Sequence, residues 1–237
     1  MTVHTLYLAS SSPRRRQLLK RAGIPFSLHV VPIDEDALSE QYEGPLNLLG
    51  EFLARRKALA AFDDLRSHGQ SGIVLASDTT VLLDGRSLAK PHDEEEAAFM
   101  LRKLRGREHI VGTGVALAGP EPDALASAHS LTRVRMREYS DDEIAHYIST
   151  GDPFDKAGGY SIQHPEFQPV QSFNGCHTGI IGLPLCIVRA LLAKCTAPDD
   201  TPQRHSGQAV CAWSRLCTQP FPAAGCLSSA SAREVTD

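Results

Sequence analysis

The stretch IVLASDTTVLLDG, residues 73–85, constrains the fold more than any other part of this chain. Its apolar and β-branched residues predict a long strand over Ile73–Leu83, and Asp84-Gly85 is a strong signal for a hairpin turn. Asp78 stands near its middle. Burying an unpaired carboxylate costs several kcal/mol, so Asp78 requires a cation, a metal or a function, unless backbone donors satisfy it or the strand ends early. If Asp84 and Gly85 are the two turn residues, Leu83 faces Arg86 and, counting back, Thr79 faces Lys90. Lys90 then lies one pair from Asp78. A regular strand sends Asp78 and Thr79 to opposite faces, so register or a bulge decides how closely acid, hydroxyl and lysine converge.

Strand-like and helical patterns alternate around this run. Residues 3–10 read as a short buried strand. Ser12 then offers an N-cap, Pro13 suits the first helical position and Gly23 supplies a stop, with Leu18, Leu19 and Ala22 facing inward. A second strand is expected at about 26–31, leading into an acidic loop at Asp34-Glu35-Asp36. Pro45 opens a helix with Leu46, Leu49, Leu53 and Ala60 on one stripe, and Lys57 falls on that stripe. A lysine there either snorkels its stem over the core edge or carries its ammonium into a cleft. Asp93 and Glu96 begin a helix expected to bury Phe99, Met100 and Leu104. Strands at about 108–118 and 129–137 follow, then a helix opened by Ser140 and Glu143. The loop DKAGGYSIQ, residues 155–163, precedes further strand-like pieces and a last helix at about 184–194. This alternation lacks strict βαβ regularity and is interspersed with hairpins, which argues a mixed α/β (α+β) domain over 1–195 around a mixed sheet. Residues 196–237 carry no sustained periodicity and read as a poorly ordered tail.

The segment LASSSPRRRQLL, residues 8–19, places three serines and three arginines at a strand-to-helix joint. A helix N-terminus exposes unpaired N–H groups and partial positive charge, which suits an anion. Ser10 and Ser12 add hydroxyls, and Arg14 and Arg15 add charge in a geometry that fits phosphate. The alternative is a plain capped helix with its arginines in water. Arginines in a first turn oppose the macrodipole, however, and that favours a bound anion. Beside such a site, the acidic run 34–36 gains interest, because carboxylates and phosphate oxygens together hold Mg²⁺.

Other classes fit poorly. A formal net charge of -4 does not attract polyanions, and no aromatic interleaves Arg133, Arg135 and Arg137, so a nucleic-acid stripe there is disfavoured and a solvent face preferred. No apolar run approaches the ~20 residues needed to span a bilayer, and the first residues lack a secretory layout, so a cytoplasmic location is expected with no membrane partner. Gly112 and Gly114 form a lone GxG, too little for a dinucleotide fingerprint, and no P-loop or GxSxG elbow occurs. The six cysteines form no CxxC pair and are expected to be reduced thiols. The ten histidines show no metal spacing.

In order and spacing, LASSSPRRRQLL, IDE at 33–35, ARRKALA around Lys57, ASDTTV at 76–81, AKP at 89–91, DKAGGYSIQ and GLPL at 182–185 resemble the Maf family of nucleoside triphosphate pyrophosphatases. The resemblance implies a two-lobed, inosine-triphosphatase-like fold around a long mixed sheet with the active site in its cleft. It implies hydrolysis between the α and β phosphates, dependence on Mg²⁺ or Mn²⁺, and a homodimer. It makes Asp78 the catalytic carboxylate, Glu35 its acidic partner at the metal, and Lys57 and Lys90 cleft lysines. Ser10, Ser12, Arg14, Arg15, Thr79 and Gln163 become substrate-binding residues. Arg14, Thr79 and Gln163 together resemble the branch acting on dTTP and UTP, rather than the branch acting on 7-methyl-GTP. His164 departs from the usual glycine. A non-catalytic nucleotide-binding regulator of cell division is the rival from another class.

Overall fold

The computed structural model describes residues 4–121 and 124–196. The chain runs through β1 (Leu6–Leu8), α1 (Pro13–Arg21), β2 (Ser27–Leu28), α2 (Glu35–Glu40) and, after a 3₁₀ turn at Leu46–Leu48, α3 (Leu49–Ser67). Next come β3 (Ile73–Leu83), β4 (Arg86–Leu88), α4 (Glu94–Leu104), β5 (Glu108–Ala118), β6 (Leu125–Met136) and α5 (Asp141–Ser149). Two 3₁₀ turns, Asp152–Asp155 and Ala157–Gly159, precede β7 (Val170–Asn174), α6 (His177–Ile181) and α7 (Leu185–Thr196). The sheet is mixed, in the order β2-β1-β3-β5-β6-β7, with β4 paired to β3 alone. β1 runs parallel to β2 and β3, and the remaining pairs are antiparallel.

β3 threads three apolar clusters. Ile73 and Leu75 pack with Leu18 and Leu19 of α1 and Val188 of α7. Val74 and Ala76 turn the other way, onto Ala54, Ala58 and Ala61 of α3. Val81 and Leu83 join α4 and α5 through Leu101, Leu104, Ile144 and Tyr147. Between these groups the strand is polar from Ser77 to Thr80, so it carries a buried polar waist where apolar packing stops on both sides. The small residues where α3 crosses the sheet let the two backbones approach closely. A Cβ added to Gly114 would stand 2.2 Å from Glu51 Cα, and one on Gly50 would stand 3.0 Å from the Asp78 carbonyl. The lone GxG is therefore the paving under a helix.

Several expectations shift. The hairpin register holds at Leu83 opposite Arg86, but β4 ends at Leu88, so Thr79 does not face Lys90. Its partner is Thr113 of β5, on the edge of β3 opposite β4, and the segment after β4 is held by the Gly158 N–H on the Ala89 carbonyl instead of continuing the hairpin. Phe99 is 54% exposed, under the Lys103 ammonium. The inward stripe of α4 is Ala97, Met100, Leu101 and Leu104, rotated to meet α5. The strand expected at about 26–31 shrinks to two residues, and the acidic loop is helix α2, with Asp34 accepting from the Ala37 N–H as N-cap. Ser12 makes no side-chain cap bond. Pro45 precedes the 3₁₀ turn and α3 starts at Leu49. Of the arginine stripe, Arg133 and Arg135 are exposed, whereas Arg137 is tied to Glu143 and the Gln168 carbonyl. No helix among the described residues is long and apolar enough to cross a membrane. The tail expected after residue 195, with Cys211, Cys217 and Cys226, lies outside the described residues, Thr196 apart.

Candidate active site

The strand's alternation settles what Asp78 and Thr79 face. Asp78 points to the α3 side, where Lys57 Nζ donates to its Oδ1 at 2.6 Å. The same ammonium lies 2.8 Å from Oε2 of Glu35 in the first turn of α2. One cation thus gathers two carboxylates from separate elements, on a helix brought close to the sheet where Gly50 and Glu51 lie over Gly114. Burial pushes the Glu35 carboxyl up, but Lys57, aided by Lys90 and Arg15, more than offsets this and holds it below the usual carboxylate range. Lys90 itself is exposed just beyond β4.

Thr79 points to the opposite face. Its hydroxyl sits 3.0 Å from Thr113 Oγ1, which donates to the Gly179 carbonyl at 2.8 Å. Arg15 reaches the same place from α1, donating from Nη2 to Thr79 Oγ1 at 3.4 Å, from Nη1 to Ser10 Oγ at 3.1 Å and from Nε to the Gly182 carbonyl at 2.9 Å. All three acceptors are uncharged. Desolvation draws the Arg15 guanidinium below its ordinary range, Asp78 and Glu35 draw it back, and Arg14 adds to the lowering. Arg15 is therefore a desolvated positive charge with no protein carboxylate in contact among the described residues. Ser10 is buried and accepts from the Ser12 N–H at 3.3 Å.

The DKAGGYSIQ loop closes the other side. Arg14 forms an ion pair with Asp155 at 2.9 Å. Lys156 is buried and donates to the Asp152 carbonyl, to Asp152 Oδ1 at 2.9 Å and to Asp155 Oδ1 at 2.5 Å. Gly158, at φ 72°, donates its N–H to the Ala89 carbonyl at 3.0 Å, which fastens the loop to the segment bearing Lys90. Gln163 is half-buried on the same loop. Ser10, Arg15 and Thr79 thus form one connected group, Glu35, Lys57 and Asp78 another, and Arg14 pairs with Asp155 of the loop. Ser12 joins the first through its backbone, Lys90 lies by the second electrostatically, and Gln163 contacts neither directly.

Sequence reasoning missed His109 and Tyr160. The ring Nε2 of His109 lies 2.7 Å from the Tyr160 hydroxyl beneath the sheet, anchoring the loop from within. Burial pushes His109 down to about 4 and pushes the phenol up. An unfolded histidine takes a proton below pH 6.5, and the folded one does so only near 4. The stability it contributes is therefore complete above pH 6.5 and lost as pH falls towards 4. We expect the unfolding free energy to fall between pH 6.5 and 4.5 by up to roughly 1.4 kcal/mol per unit more than in His109→Gln, which keeps a polar partner for Tyr160 without titrating. Urea unfolding across that window checks it; parallel curves would reject a buried neutral His109.

Residues 5–195 match the family described as Maf-like protein. A dTTP/UTP pyrophosphatase of Thermomicrobium roseum is 44% identical over 207 residues, covering 87% of this chain and 91% of that protein. Proteins of the same description from Pelotomaculum thermopropionicum and Burkholderia lata are 40% and 42% identical, covering 80% and 79% of this chain and 95% and 91% of their own lengths.

Proposed function

This chain belongs to the Maf-like protein family, and from that premise we propose that it is a nucleoside triphosphate pyrophosphatase that hydrolyses dTTP and UTP to the monophosphate and pyrophosphate. The observation that carries the reading is the pairing of Glu35 and Asp78 on Lys57 beside a serine- and arginine-rich helix start. In this reading Asp78 orients the attacking water and takes its proton, and Lys57 holds the carboxylate in place. Ser10, Ser12, Arg14, Arg15 and Lys90 receive the charge that builds on the leaving pyrophosphate, the last three as full cations. Thr79 and Gln163 meet the base, where an amide suits the imide edge of uracil or thymine.

Glu35 and Asp78 are also the groups that would hold Mg²⁺ or Mn²⁺. Both are hard oxygen donors and already share one cation, and no cluster of three or more His, Cys, Asp or Glu side chains occurs among the described residues. Two carboxylates fit an ion that keeps several waters and completes its shell with phosphate oxygens. Bound there, it supplies Lewis-acid charge stabilisation and a more acidic water. The family resemblance supports a homodimer acting in the cytoplasm.

Incubation with a panel of ordinary and methylated nucleoside triphosphates, assayed for pyrophosphate against orthophosphate, tests the reading. Pyrophosphate from UTP and dTTP is expected; tight nucleotide binding without release would favour a regulator. Gln163→Glu should lower kcat/KM for UTP and dTTP about tenfold, because a carboxylate cannot donate to a base carbonyl. An unchanged substrate ranking removes Gln163 from base recognition.

A further inference from the structure

Arg14, Asp155, Lys156 and His164 line an open polar cavity of about 480 Å³, walled on one side by the Thr150–Asp152 turn. Its carboxylates are already engaged, Asp155 by Arg14 and Lys156, and Asp152 by Lys156 and the Tyr147 hydroxyl. What the cavity has left to offer is hydrogen-bond donation. His164 is the least expected of its donors.

The backbone N–H of Phe167 donates to His164 Nδ1 at 3.0 Å. That nitrogen must therefore be the acceptor, and a neutral ring then carries its proton on Nε2. The Tyr147 ring meets the imidazole edge to face, 4.9 Å between centroids at 76°, and Tyr147 is itself buried and held to Asp152. The ring is thus fixed in tautomer and tilt. Its Nε2–H has no protein partner among the described residues. A glycine at this position offers neither the donor nor the clamp.

We propose that His164 is a specificity-determining residue that donates from Nε2 to the C4 carbonyl of uracil or thymine. Cytosine carries an amino group at that position, so a fixed donor there meets a donor and rejects it. The inference rests on the pyrimidine triphosphate reading above and extends it to a residue outside the family's motif.

The test compares UTP and CTP, each with wild type, His164→Asn and His164→Gln, reading kcat/KM as a ratio between the two nucleotides. Asn places an amide oxygen where Nδ1 accepts, which keeps the Phe167 contact, but it stops short of Nε2. Gln carries an amide donor farther out. Wild type should prefer UTP, Asn should lower the UTP-to-CTP ratio about tenfold, mostly through a higher KM for UTP, and Gln should recover part of it. The ratio is taken on one preparation, so a loss of folded protein cancels from it. An unchanged ratio in the Asn variant overturns the proposal, as does an equal loss on both nucleotides, which would place His164 on the phosphates or in the scaffold. If wild type releases no pyrophosphate from any triphosphate, the pyrophosphatase reading itself fails and takes this inference with it.

Discussion

Asp78→Asn should lower kcat for pyrophosphate release about a thousandfold, the scale of a positioned general base, while the melting temperature stays within a few degrees of wild type. The asparagine keeps the volume and one oxygen of the carboxylate, so Lys57 retains an acceptor at the position now 2.6 Å away. Lys57 also keeps Glu35 at 2.8 Å, so its ammonium is not left unpaired in a half-buried site. What disappears is the group that can take a proton from water. Rate measurement at saturating UTP, alongside a thermal melt, separates the two effects. Near wild-type turnover in a folded variant would remove Asp78 from the chemistry, and a collapsed melt would make it a structural ion-pair residue.

Gly114→Ala should cost about 3 kcal/mol and lower the melting temperature by about 10 °C. The new methyl would meet Glu51 Cα at 2.2 Å, Glu51 N at 2.3 Å and the Gly50 carbonyl carbon at 2.5 Å, all of them backbone. No rotamer relieves such a contact. Helix α3 must lift, which opens the alanine seam against Ala76 and Ala116 and withdraws Lys57 from Asp78. Activity should therefore fall together with stability. Gly112→Ala is the control, because its nearest neighbours are Thr80 Oγ1 at 3.2 Å and the Asn47 carbonyl at 3.3 Å, a far milder crowding. Equal melting temperatures for the two variants would mean that α3 does not lie on the sheet as described.

How much of this was legible beforehand depended on how local each cause is. Asp78 announced itself because a carboxylate in an apolar strand has few bland explanations, and Ser140 with Glu143 formed the expected capping box because its partners are three residues apart. The helical position of Lys57 was also readable, since its stripe repeats within a few turns. The Thr79–Lys90 pairing failed because hairpin counting sees only two strands, and the distant loop that bonds the Ala89 carbonyl through Gly158 draws the chain out of the hairpin after Leu88. Phe99 failed because helical periodicity defines a stripe but not the neighbour it turns towards. The significance of Gly114 appears only once α3 is laid across it. The Arg14–Asp155 pair joins residues 141 positions apart, and nothing in either local pattern points to the other.

The polar waist of β3 also bears on how such an enzyme can diverge. Asp78 and Thr79 are consecutive in the chain, yet one looks towards α3 and the other towards Arg15 and the Gly182 carbonyl. In the proposed reading the first wall carries the carboxylate pair, and the second carries base preference at Thr79 beside Arg15, which meets the phosphates. Substitutions at 79 then need not disturb the carboxylate pair behind the strand, and their effects should combine almost independently with changes at 35 or 57. A lineage, or a laboratory selection, can move from one nucleotide to another through residues on a single side of one strand, leaving the reaction machinery inherited intact.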